Sequence, residues 1–473
     1  MIEGNHCMGT EDRIVVLGGG LTGLSAGYVL SKAGLTVAVF EHDSAVGGIS
    51  KTVERNGFRF DLGPHRFFTK EARIESFVKV LMGDELTVVP RRTEIFIRGK
   101  YFNYPLEPVN ALFGMGIFTT LRILADYGWE RVKGFVKKPV PVSLEDWVVA
   151  NFGRTLFDIY FKEYSEKVWG VDCSRISAEW VAQRIRGLSL SKAVMHAFFK
   201  LKGRDIPSLV DQFLYPRLGI GRISEKLSKE IEGSGSVSLN TSVERVNCSG
   251  FTVESIEVKD RNGARIIRGN EFISSIPVTK LISLLDPPAP PDVREAAASL
   301  KFRDIVVVTV MVDRPRVTDQ TWIYIPEKNI PIGRFHEPVN WSSSMAPKGQ
   351  TLLVTEFFCF EGDAIWNTSD DGLVSLAVDS LAQLGFIRPA EVIDSVVTRV
   401  PKAYPLFEVG YRKHLDVVYD YLAKFTNLRA AGRGGMFKYY NMDHAISSGM
   451  TVAEKILNRR APVSGEKCEV AVS

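Results

Sequence analysis

Gly18, Gly20 and Gly23 stand in a GxGxxG spacing directly behind the apolar run RIVVL, and Glu41 follows at the end of a second apolar run. Residues of these types at this spacing bind a dinucleotide. Gly18 permits a tight turn, Gly20 lets a pyrophosphate approach the main chain, and Gly23 lets the following helix pack closely on its strand. Leu21 and Thr22 open that helix, whose N-terminal amides favour negative charge. Glu41, followed by His42, offers acceptors to ribose hydroxyls. NAD and FAD both satisfy this much. The Gly47-Gly48 pair in EHDSAVGGIS favours FAD, because a second glycine pair there leads the pyrophosphate and ribityl chain toward an isoalloxazine. No Ser/His/Asp set, HExxH motif or metal-ligand cluster competes, so no metal is expected.

Positioning these residues requires a strand, a glycine turn, a helix closed by Gly34 and a second strand, a βαβ unit beginning at Arg13. The stretch after it ends in FRFDLGPHRFF, read as a short hairpin returning to the same domain. Val88 to Tyr104 reads as a hairpin about Gly99, and helical periodicity dominates from residue 108 to residue 200, with Glu145–Phe161 as one helix. Short strands return at Val237–Leu239, Ser242–Val246, Ser255–Lys259 and Ile266–Arg268, and EFISSIP is a strand closed by Pro277. The β runs IVVVTVMV and TLLVTEFF precede the helical stretch GLVSLAVDSLAQLG. The pattern predicts an α/β protein with a discontinuous Rossmann-type FAD-binding domain over 13–78, 215–285 and 405–460. A helical insertion over 106–214, an antiparallel sheet substrate domain over 79–105 and 286–404, and a mobile tail over 461–473 complete it.

Composition narrows the class. The 473 residues are 45% hydrophobic and 24% charged, which excludes a disordered or fibrous chain. Fifty-nine Lys and Arg against fifty-five Asp and Glu leave a net charge of +4, too small a field for nucleic acid, although a local basic pocket for an anion is compatible with it. The five cysteines are widely separated and form no CxxC pair, and the polar start MIEGNHCMGTEDR is unlike a signal peptide, so a reduced, cytoplasmic setting is expected. No apolar run reaches the roughly 18 residues of a transmembrane helix. The best candidate, Ala111–Leu124, is read as a buried helix, with membrane-surface contact as the alternative.

With these motifs in place, the chain from Arg13 to about Leu457 resembles the FAD-dependent amine-oxidase and protoporphyrinogen-oxidase superfamily and, within it, the UDP-galactopyranose mutases. The resemblance implies a flavin-side histidine at His65 in FDLGPHRFF. It also implies cofactor contacts at Val243 and, in AAGRGGMFKYYNMDHAISSGM, at Arg433, Asp443 and His444. It places pyrophosphate-binding arginines at Arg184 in SAEWVAQRIRGLSL and Arg334 in TWIYIPEKNIPIGRFHEP. Substrate contacts would come from Tyr104, Trp322, Tyr324, Tyr404, Tyr439 and Asn441. FKEYSEKVWGVD is similar to the family's YxxKVW motif. Departures lie on the nucleoside side: Glu107 replaces a glutamine of the eukaryotic-type mutases, and Tyr160 and Ser165 also differ.

What the resemblance implies is a mutase interconverting pyranose and furanose forms of a nucleotide sugar. N5 of reduced FAD, supplied with electrons by NAD(P)H or a similar donor, would be the nucleophile. His65, Arg184 and Arg334 would be its catalytic residues, the arginines holding the leaving diphosphate. A homo-oligomer is compatible with all of this. The alternative is an FAD-dependent oxidoreductase acting on an amine, porphyrinogen or prenoid-type substrate, which shares every FAD motif but has no need of the Arg and Tyr set. A non-catalytic FAD-binding protein is the third reading.

Overall fold

The computed structural model describes residues 13–103, 116–136, 140–180 and 212–460. At its centre is a five-stranded parallel sheet in the order Leu428–Ala430, Glu271–Ser274, Arg13–Leu17, Thr36–Phe40, Ser236–Ser238. Its first two strands in sequence, β1 (Arg13–Leu17) and β2 (Thr36–Phe40), flank helix α1 (Leu21–Lys32). Four of five residues in each strand are buried, the continuous apolar run expected of a parallel strand covered on both faces. Gly34, at φ 86°, turns the chain out of α1.

A seven-stranded sheet forms the second layer, in the order Val392–Pro405, Phe302–Val312, Thr351–Cys359, Arg334–His336, Trp322–Tyr324, Thr93–Ile97, Lys100–Asn103. All its pairs are antiparallel except Trp322–Tyr324 with Thr93–Ile97. Every residue of Phe302–Val312 is buried, because helix Asp370–Gln383 covers one face and a cluster containing Phe60, Leu144, Val148 and Trp169 covers the other. The expected mixed α/β architecture is present, with three differences in detail.

Leu86–Pro90 does not join the large sheet. It pairs with Gln212–Pro216 and contributes Val89 to the core beneath α1. The single helix predicted over Glu145–Phe161 is broken. Helix Leu144–Phe152, capped by a reciprocal Ser143–Asp146 box, ends at Gly153, where φ is 88° and a Cβ would lie 3.1 Å from the Tyr127 amide of the crossing helix. The apolar stretch predicted to be buried is covered on one face only: within Ile117–Val136, Thr120 and Ile123 are buried, whereas Phe118 is 86% and Leu121 57% exposed. Residues 111–115 lie outside the described part. Among the described residues no helix is long and apolar enough to cross a membrane.

Three separate segments meet at the buried carboxyl of Asp61, which accepts from Thr52 Oγ1 at 2.6 Å, Tyr215 Oη at 2.6 Å and the Ile220 amide at 3.2 Å. Burial outweighs these donors and pushes its pKa up to about 7. The native state therefore keeps a proton that the unfolded chain gives up near pH 4, so this group's contribution to stability falls as pH rises from about 4 to 7. Asp61→Asn, which carries no charge at any pH, is expected to raise the melting temperature relative to the parent more at about pH 8 than at about pH 5. Melting curves at both values check it; an equal difference at the two contradicts it.

Candidate functional site

Between the two sheets lies a cavity of about 1200 Å³, into which both predicted sets of residues converge. At its nucleotide end, the main chain approaches itself too closely for side chains. A Cβ on Gly18 would meet Ser275 Oγ at 2.6 Å, and one on Gly23 would meet the Gly18 carbonyl at 2.1 Å. A Cβ on Gly20 would meet nothing within 4 Å, because it would project into the cavity. Gly20 is also the N-cap of α1 and offers no side-chain acceptor, so the first amides of the helix, beside Leu21 and Thr22, remain available to an anion. The Gly47-Gly48 turn lies against the same point: the Gly47 amide donates to the Gly19 carbonyl at 2.8 Å.

Glu41 lies 3% exposed at the end of β2. Its Oε2 accepts from the Gly19 amide at 2.7 Å and its Oε1 from the Asp43 amide at 2.9 Å, with His42 Nδ1 2.7 Å away. Burial raises its pKa, but these hydrogen bonds outweigh burial and hold it below the usual carboxylate value. The glutamate thus braces the glycine turn as well as facing the cavity. His42 gains a raised pKa from the hydrogen bond to Glu41. Val243 lines the cavity beyond them.

From the far end of the chain, helix Met442–Arg460 packs on α1 so tightly that a Cβ on Gly449 would lie 2.2 Å from the Thr22 carbonyl. Thr22 Oγ1 donates to the Ala445 carbonyl at 3.0 Å. Asn441, Met442 and Ala445 line the cavity there; the side chains of Asp443 and His444 do not, and pair with each other at 3.2 Å. Arg433 reaches the cavity, but its guanidinium is committed to the main chain, donating to the Ala403 carbonyl at 2.8 and 3.1 Å and the Tyr440 carbonyl at 2.8 Å. Its plane lies over the rings of Tyr404 and Tyr439. Arg433 therefore acts as a brace between the sheet and the glycine turn before the last helix.

The other end of the cavity is built from phenols, indoles and guanidinium groups. Arg334 and Tyr324 are register partners at the ends of two short antiparallel strands. Arg334 makes a bidentate pair with Glu356, Nε to Oε1 at 2.6 Å and Nη2 to Oε2 at 2.7 Å, and Nη2 also donates to Tyr404 Oη at 3.0 Å. Burial works against its charge, and the fully buried Glu356 carboxylate outweighs burial and raises its pKa well above the usual value. Nη1 makes no hydrogen bond to the described residues and is the edge left for a ligand. Tyr404 stacks on Tyr439, and burial pushes its phenol up to about 12. Trp322 lies edge-on to Tyr324, with Arg66 over its ring and its Nε1 unbonded among the described residues.

His65 lines the cavity between the two ends, its buried Nδ1 without a partner among the described residues. Burial, then the charges of Arg334 and Arg433, lower its pKa to about 3, so it is neutral. Tyr104 and Arg184 lie outside the described residues. The residues present fit an FAD: the glycine cradle and Glu41 suit its adenosine and pyrophosphate half, and the orphaned His65 nitrogen offers a polar contact farther along the cavity. Glu356 and Arg66 were not singled out from the sequence. A lone acid within the apolar run TLLVTEFF was the one signal for Glu356, and Arg66 adjoins the predicted His65.

The flavin containing amine oxidoreductase family matches residues 21–457. Coproporphyrinogen III oxidase of Staphylococcus aureus is 20% identical over 94% of this chain and 98% of its own. Protoporphyrinogen oxidase 1 of Arabidopsis thaliana is 24% identical over 95% of this chain and 88% of its own. Among solved structures, reduced UDP-galactopyranose mutase superposes with a TM-score of 0.82 at 20% identity, covering 98% of this chain and 96% of that one. Cyclohexylamine oxidase from Brevibacterium oxydans IH-35A gives 0.67 at 13% identity, with 95% and 99% covered.

Removing Glu356 would leave the Arg334 charge buried without its counter-ion. Glu356→Ala is expected to lower the unfolding free energy by about 3–5 kcal/mol, measured by chemical denaturation of the flavin-loaded protein. A loss below about 1 kcal/mol, typical of a solvated pair, would contradict the assignment.

Proposed function

Because the chain belongs to the flavin containing amine oxidoreductase family, whose members carry a flavin, we propose that it applies FAD to a nucleotide sugar, interconverting pyranose and furanose forms. One observation carries the reading: the substrate end of the cavity is polar and cationic, with the Nη1 edge of Arg334 open, Tyr404 Oη on its Nη2, and Tyr324 and Tyr439 lining the same cavity. A diphosphate needs that combination of guanidinium and phenol donors, and an apolar amine or a prenoid does not. The likeness to UDP-galactopyranose mutase supports the reading at the level of fold.

FAD, when reduced and bound, supplies a nucleophile for the anomeric carbon. The protein's own work is orientation and charge. Arg334, fixed by Glu356, would face the diphosphate oxygens as negative charge develops on them. Arg184 is proposed as the second cation of the pair. Tyr404 and Tyr439 stack into one wall, and burial keeps the Tyr404 phenol protonated at neutral pH, so it acts as a donor rather than a base. Neutral His65 donates from one ring nitrogen and accepts at the other without adding charge near the flavin. Asn441 and Trp322 complete the pocket.

A second reading has its own support, since relatives matched along nearly the whole chain are porphyrinogen oxidases. Titration of the yellow protein with UDP, followed by the flavin spectrum, separates the two. UDP is expected to bind the parent, and Arg334→Ala and Arg184→Ala are each expected to weaken binding by about a hundredfold while leaving the flavin in place. Bleaching of the flavin by a porphyrinogen under anaerobic conditions, with no response to UDP, would favour the oxidase reading. Loss of yellow colour in either variant would contradict the assignment of these arginines to substrate.

A further inference from the structure

Lys167 belongs to no part of the mechanism above, yet it occupies one of the most specific environments in the molecule. It lies near the end of helix Lys162–Trp169, and its Nζ is 2.8 Å from the carbonyl oxygen of Ile325, 2.9 Å from that of Glu327, 2.6 Å from that of Ile330 and 2.7 Å from that of Ile332. An ammonium has three N–H groups, so four oxygens exceed what directed hydrogen bonds can serve at once. No carboxylate forms an ion pair with it among the described residues. The geometry is that of a spherical cation inside a shell of carbonyl dipoles, the arrangement by which proteins replace the hydration shell of potassium. Burial lowers its pKa, to about 7, against the charges of Glu327 and Glu163, and the four carbonyl acceptors around the nitrogen favour the protonated form.

The four carbonyls belong to one loop, IPEKNIPI, whose base is closed by the Ile325 amide donating to the Gly333 carbonyl at 2.9 Å. Pro326 and Pro331 supply no amide, and Ile325, Ile330 and Ile332 are buried in the core of the large sheet. The loop therefore turns its oxygens inward with too few donors of its own. It joins Tyr324 to Arg334, and the helix that carries Lys167 also sets Tyr164 edge-on to Tyr324 at 5.3 Å and Trp169 against Tyr404 and Tyr439.

We propose that Lys167 is a positioning residue, a built-in monovalent cation that fixes the loop over residues 325–332 and through it the spacing of Tyr324 and Arg334. When its side chain is cut back, the same carbonyl shell takes potassium from solution. The first half of the test is independent of substrate; only the second rests on the nucleotide-sugar reading.

Flavin-loaded Lys167→Ala and Lys167→Met are compared with the parent in KCl and in LiCl at equal ionic strength, by melting and by UDP titration. Lys167→Ala is expected to melt higher in KCl than in LiCl. Its UDP affinity should fall about ten- to a hundredfold in LiCl and return to within about threefold of the parent in KCl. Lys167→Met, which fills the space without charge, should lose affinity equally in both salts, and the parent should not distinguish them. An alanine variant that folds and ignores the cation overturns the proposal. If it folds in neither salt, Lys167→Met decides: about tenfold weaker UDP binding with normal flavin content supports the role, and parent affinity overturns it. If the parent binds no UDP, the nucleotide-sugar reading fails and the melting comparison alone judges Lys167.

Discussion

A largely buried guanidinium at the meeting of two strands is the constraint around which the substrate end is organised. Left alone there, Arg334 would still carry its charge, and folding would bear the cost of its desolvation. Glu356 answers it from the neighbouring strand across a register pair, Tyr404 from the long strand at the sheet edge, and Gly63 makes room, since a Cβ at that position would lie 3.2 Å from the carboxylate. Each solution imposes another. Tyr404 is held by stacking on Tyr439, and both by Arg433, which ties them to the glycine turn before the last helix. The ionic network of the substrate end is thereby continuous with the wall of the cofactor cavity.

Close approach of main chain plays the equivalent part at the nucleotide end. The turn after β1, the turn at Gly47 and the helix from Met442 converge on α1, although they come from opposite ends of the chain. Gly432 and Gly449 permit this, because a Cβ on either would fall within 2.3 Å of Thr22. Such contacts leave no space for side chains, so the surface offered to a ligand there is mostly amide, which suits phosphate. Glu41 supplies the complementary acceptors, and three hydrogen-bond partners keep it ionised in spite of its burial.

How much of this could be read beforehand followed from how local each signal was. The βαβ unit and its fingerprint are contained within about thirty residues, and the strand, turn and helix lie where glycine spacing and apolar periodicity put them. Gly153 was less legible: its neighbours are helical in pattern, and only the crossing of a distant helix makes the break necessary. The helix from Ile117 has enough apolar residues to read as core, yet periodicity cannot say whether a face is covered. Arg433 was placed at the cofactor by resemblance; it lines the cavity, and the carbonyls of two elements that its guanidinium also braces had no local signal. Asp443 and His444 stand in a matching motif, yet neither is among the residues that line the cavity. Glu356 and Asp61 are the clearest omissions. Each is one acid in an apolar stretch, and its partners come from segments that sequence does not show to be adjacent.

The central claim is that this flavoprotein acts on a nucleotide sugar at the cationic end of the cavity. The direct measurement is incubation of the purified protein, reduced anaerobically with dithionite, with UDP-, GDP- and dTDP-linked sugars, followed by chromatography for ring isomers. A furanose product that forms with reduced flavin and not with oxidised flavin is the predicted result. The absence of any isomer across the panel, with oxidation of a porphyrinogen by the same preparation, would contradict it.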